Sequence, residues 1–90
     1  MTWRTAASDG LSFEEVPSET LQALVTSATG CGCGISFSRT KDRSALVITV
    51  FAGDSGKEMT FARSLGDVSV LLSDMQTEEF KRWARSHQPV

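Results

Sequence analysis

Ninety residues, 40% hydrophobic and 22% charged, fit one globular domain near the small end of sizes that fold alone, and exclude a disordered chain. The formal charge of −2 gives no global pull toward nucleic acid or an anionic membrane. Two cysteines are too few for a secreted disulfide scaffold. Charge is uneven: residues 1–30 carry net −3, residues 31–66 net +2 and the remainder net −1. The start, MTWRTAASDG, lacks the apolar run of a signal peptide, and no stretch approaches a membrane span. The expectation is a soluble cytoplasmic protein with no membrane contact.

The first 16 residues show no period and are expected to form a mobile segment, with Trp3 and Phe13 able to pack on the domain. A single domain is expected over residues 17–88. VPSETLQALVTSATG reads as a helix. Pro17 and Ser18 start it, Glu19 suits its positive end, and Gly30 suits its exit. Leu21, Leu24, Val25 and Ala28 form one apolar stripe.

Three strands follow: GISFSR, ALVITVFA and KEMTFAR, joined by the short polar connections KDRS and GDSG. Taking Lys41–Ser44 as the first loop sets Phe37 opposite Ile48 and Ile35 opposite Val50. Taking Gly53–Gly56 as the second sets Val50 opposite Met59 and Ile48 opposite Phe61. Both loops then agree on one buried face made of Ile35, Phe37, Leu46, Ile48, Val50, Met59 and Phe61. The other face would hold Ser36, Ser38, Val47, Thr49, Phe51, Glu58, Thr60 and Ala62.

In DVSVLLSDM, Val68, Leu71, Leu72 and Met75 keep helical spacing, with Asp67 expected as the cap. Thr77-Glu78-Glu79 marks a fresh start, and Phe80, Trp83 and Ala84 begin a second stripe that ends near His87. The fold class is α+β: a three-stranded antiparallel meander with helices on one face, in the order α-β-β-β-α-α.

Cys31 and Cys33, one residue apart between glycines, are the most chemical-looking pair. Structural zinc wants four ligands, and the chain offers one further candidate, His87, unless two copies pool their thiolates. A redox motif spaces its cysteines by two residues. The expected role is packing at a glycine-permitted turn, with no metal and no cofactor.

GDSG at residues 53–56 matches part of a serine-protease motif, but the lone histidine lies near the chain end. GDSGK lacks the spacing of a phosphate loop. No nucleophile, base and orienting group can be assembled from these residues, so no catalytic residue is assigned and the protein is expected not to be an enzyme.

Two binding surfaces remain. Val47, Thr49 and Phe51 on the outer sheet face, with Phe80 and Trp83 on the last helix, suit a protein partner or a homodimer. Arg39, Lys41, Arg43 and Arg63 form a basic rim that, with Phe51, would serve single-stranded nucleic acid. On charge and ring content the protein-interaction reading comes first and the nucleic-acid reading second.

The runs GISFSRTKDRSALVITVFAGDSGKEMTF and GDVSVLLSDM, within residues 30–76, resemble small proteins encoded by phages of actinobacteria. The resemblance implies a product made in bacterial cytoplasm and carries no catalytic residues; the expected protein partner is a host protein or a second copy of the chain. The element order also resembles double-stranded RNA-binding domains, without their phosphate-gripping basic loop and helix start.

Overall fold

A computed structural model describes residues 11–88. A 3-10 turn at Phe13–Glu15 leads into helix α1 (Ser18–Gly30). Strands β1 (Gly34–Arg39), β2 (Leu46–Ala52) and β3 (Gly56–Ala62) follow, then helices α2 (Leu65–Met75) and α3 (Glu78–Ser86). The strands form one antiparallel sheet in the order β1-β2-β3. The α+β meander read from the sequence is therefore the fold.

The core lies between one sheet face and the helices, with α1 against β1 and α2 against β3. Leu24, Leu46, Ile48, Val50, Val68 and Met75 are its largest fully buried side chains. Each contributes about 1.5–3 kcal/mol by leaving water. Ile35, Phe37, Leu72, Phe80 and Trp83 pack against this cluster half-buried. Residues 1–10, including Trp3, lie outside the described residues. Leu11 and Val16 are buried, and the Phe13 ring, as expected able to pack on the domain, meets Phe37 edge-on at 5.4 Å.

The Cys31–Cys33 stretch is a helix stop. Gly32 takes φ +76°. Its N–H donates to the Thr29 carbonyl at 2.9 Å, and the Cys33 N–H donates to Ala28 at 2.8 Å. This is the paired bonding that satisfies the last carbonyls of a helix, with glycine in the left-handed position. The exit residue is thus Gly32, two positions beyond the expected Gly30.

Local signals set the later helices. Ser64, not Asp67, caps α2, its hydroxyl accepting from the Asp67 N–H. The Asp67 carboxylate reaches back to the Arg63 N–H at 2.9 Å. Thr77 caps α3 as expected, its Oγ1 accepting from the Phe80 N–H at 3.1 Å. The two helices are separate elements, and α3 docks: Ala84 is fully buried, and Phe80 and Trp83 turn toward the core.

The β1–β2 register is the expected one, with Phe37 opposite Ile48 and Ile35 opposite Val50. The β2–β3 register differs by one residue. Ala52 pairs with Gly56, so the loop is the three residues Gly53, Asp54 and Ser55, and Thr49 faces Met59 while Val47 faces Phe61. A one-residue shift turns every side chain of a strand to the other face. Met59 and Phe61, expected in the core, stand on the outer face, and Glu58, Thr60 and Ala62 face the helices.

The physical reason lies in Gly56. A Cβ there would sit 2.6 Å from the Ala52 carbonyl oxygen and 2.8 Å from the His87 ring. Gly56 is the first residue of the strand, where both the Ala52 backbone across the hairpin and the His87 side chain at the end of α3 leave no space for a Cβ.

Candidate functional site

The outer face of the sheet is built from alternate residues of all three strands. Gly34, Ser36 and Ser38 come from β1, Val47, Thr49 and Phe51 from β2, and Lys57, Met59 and Phe61 from β3. The central strand supplies a floor, since Val47 and Thr49 are buried. Phe51, Met59 and Phe61 rise around it with 38%, 47% and 54% of their surfaces exposed. Among the described residues no element packs on this side. The result is an apolar strip bordered by serine hydroxyls on one flank and Lys57 on the other.

Of the residues singled out for protein contact, Val47, Thr49 and Phe51 lie together on this face. Phe80 and Trp83 do not join them: they sit on the helix side, with ring centroids 5.3 Å apart, and line a cleft of about 400 Å³ with Glu58, Asp74, Thr77 and Glu79. Met59 and Phe61 were missed. The available signal was the small residues Gly56 and Ala62 at the two ends of the strand, on the same side as Thr60 and Glu58.

The basic residues gather at one end of the sheet without forming a free rim. Arg39 sits half-buried on the helix side, and its Nη2 donates to the Arg43 carbonyl at 2.7 Å. Lys41 and Arg43 are exposed on the β1–β2 connection, where Arg43 holds φ +60°. Asp42 organises that turn. Its Oδ1 accepts from the Thr40 hydroxyl at 2.7 Å, the Ser44 N–H at 2.9 Å and the Ser44 hydroxyl at 2.8 Å.

These bonds, Thr40's first, lower the Asp42 carboxyl to about 2, and the nearby Arg63 charge adds to the effect. A carboxyl held below its unfolded value of about 3.9 stabilises the fold at higher pH and loses that contribution as pH falls through about 4 to 2. The denaturation midpoints of wild type and Asp42→Ala are therefore expected to differ at pH 6 and to converge at pH 2. A gap of unchanged size at pH 2 would show that the charge plays no part.

Ser55 and His87, 32 residues apart, meet: Ser55 Oγ lies 3.2 Å from His87 Nδ1. Distance along the chain had argued against such a contact, and the docking of α3 creates it. The His87 ring also packs on Trp83 at 5.3 Å, and among the described residues no carboxylate hydrogen-bonds to it. The contact ties the end of α3 to the β2–β3 loop. A catalytic serine needs in addition an oriented base and an anion-stabilising pocket.

The Cys33 thiol is buried and pushed up, by desolvation first and the neighbouring Cys31 second, which disfavours the reactive thiolate. Its sulfur lies 3.8 Å from the Cys31 carbonyl oxygen. Among the described residues no three His, Cys, Asp or Glu side chains converge as a metal centre requires.

No family model, curated protein or solved structure matches the chain. Among the described residues no helix is long and apolar enough to cross a membrane.

Proposed function

We propose that this protein is a non-enzymatic interaction module that grips a protein partner with the outer face of its sheet. One observation carries the reading: Phe51, Met59 and Phe61 stand exposed around buried Val47 and Thr49, on the side opposite the helices. Aromatic and methionine side chains are the types enriched where proteins meet, and a flat apolar strip with a hydroxyl border resembles the centre and rim of such a contact. The resemblance to phage-encoded proteins makes a bacterial host protein the expected partner and the host cytoplasm the expected location.

Capture from bacterial lysate, with the bound proteins identified by mass spectrometry, tests this directly. Phe51→Asp is expected to abolish capture, whereas Val25→Asp, at an exposed position on α1 (43% accessible), is expected to leave it intact. Equal capture by both variants would remove the sheet face from the reading.

The one-residue shift also favours the second reading, single-stranded nucleic acid, more than the sequence did. Phe61 joins Phe51 on the outer face, and Lys57 stands beside them. The spacing argues against it. Phe61 lies opposite Val47, four residues along β2 from Phe51, which separates the rings by about 13 Å along the strand. Stacking of successive bases needs neighbouring rings. A low-salt oligonucleotide titration is expected to show no binding. Affinity that falls steeply with added salt would transfer the face to nucleic acid.

A further inference from the structure

The rim of β3 is as exposed as the face it borders. Among the described residues no backbone hydrogen bond joins Gly56–Ala62 to anything on the side away from β2. The strand has no proline and no bulge in its pairing with β2, and its charges are confined to Lys57 and Glu58 at one end, which leaves Met59–Ala62 uncharged. Its outer-face residues include Met59 and Phe61, two of the most exposed large apolar side chains described.

We infer that β3 pairs with β3 of a second copy of this chain, antiparallel and centred on Met59, to make one continuous six-stranded sheet. The inference goes beyond the reading above, adding a second surface and a second partner. It concerns the strand edge and not the face, so it can fail while capture of a host protein survives.

Charge selects the register. A twofold axis through Met59 pairs all seven residues of the strand. Met59 meets its own copy, Lys57 meets Phe61, Glu58 meets Thr60, and Gly56 meets Ala62. No like charges oppose one another, and the Lys57 ammonium lies beside an aromatic ring. Moving the axis to Glu58 sets Glu58 against Glu58. Moving it to Thr60 sets Lys57 against Arg63. A one-residue slip would put the helices of one copy on the open side of the other.

The test combines sedimentation over a concentration range with cysteine cross-linking, on the full chain. Wild type is expected to show a monomer–dimer equilibrium. Thr60→Glu sets two carboxylate pairs across the axis and is expected to abolish the dimer. Thr60→Lys sets two ion pairs there and is expected to tighten it several-fold. Met59→Cys is expected to form a disulfide-linked dimer under mild oxidation, with Phe51→Cys and wild type as controls that do not. Three results would overturn the proposal: a wild-type monomer at every concentration, equal responses to the two Thr60 changes, or linkage through Phe51→Cys in preference to Met59→Cys.

Discussion

Gly53→Ala is expected to destabilise the protein by about 2–4 kcal/mol, read as a fall in the urea midpoint. Two costs combine. Gly53 holds φ +64°, a conformation that costs a residue with a side chain about 1–2 kcal/mol. The added Cβ would also collide with the His87 carbonyl oxygen, so the end of α3 must lift away. That end is a junction, because Gln88 reaches from it to α1, its Nε2 donating to the Cys31 carbonyl at 2.6 Å. Shortening the chain to end at Ser86 removes the collision. In that background the same substitution is expected to cost only the conformational part, about 1–2 kcal/mol. Gly30 supplies the contrast. It lies in α1 with nothing within 4 Å of the Cβ position, and Gly30→Ala is expected to stabilise by about 0.5–1 kcal/mol. An equal cost for Gly53→Ala in both chain lengths would mean that the α3 contact contributes nothing.

What could be read in advance divides along a physical line. Patterns set by one element were legible: the α1 stripe through Leu24 and Ala28, the break at Thr77 and the β1–β2 register all follow from spacing and short-range bonding. Val25 fell in the α1 stripe yet stands exposed, so the buried face of the helix is narrower than its apolar spacing suggests. Features set by closing one element on another were not legible. Gly56 reads as a turn residue because glycine usually is one. Its constraints are the Ala52 carbonyl across the hairpin and the His87 ring, and the second of these no local pattern reveals. Counting it in the loop moved β3 by one position and carried Met59 and Phe61 into the wrong layer. On this strand the buried positions of the helix side are the small residues Gly56 and Ala62, while the large apolar Met59 and Phe61 stand exposed on the other. The Ser55–His87 contact was hidden because it is a product of α3 docking.

The register itself predicts a pair of opposite results. Ile48→Ala is expected to cost about 2–5 kcal/mol, because Ile48 is fully buried at the centre of the helix-facing side. Phe61→Ala is expected to cost less than about 1 kcal/mol, the range of surface changes, because more than half of that ring already faces water. In the alternation-based register the two positions lie directly opposite on one buried face, and Phe61→Ala would cost about 3–5 kcal/mol. The measurement has to be made at low protein concentration. If β3 pairs with a second copy, association adds to apparent stability as concentration rises, and Phe61 then stands beside the Lys57 stem of the other chain. The cost of Phe61→Ala should therefore grow with protein concentration while that of Ile48→Ala does not. A large, concentration-independent loss at Phe61 would place its ring in the core and take the apolar strip away from the outer face.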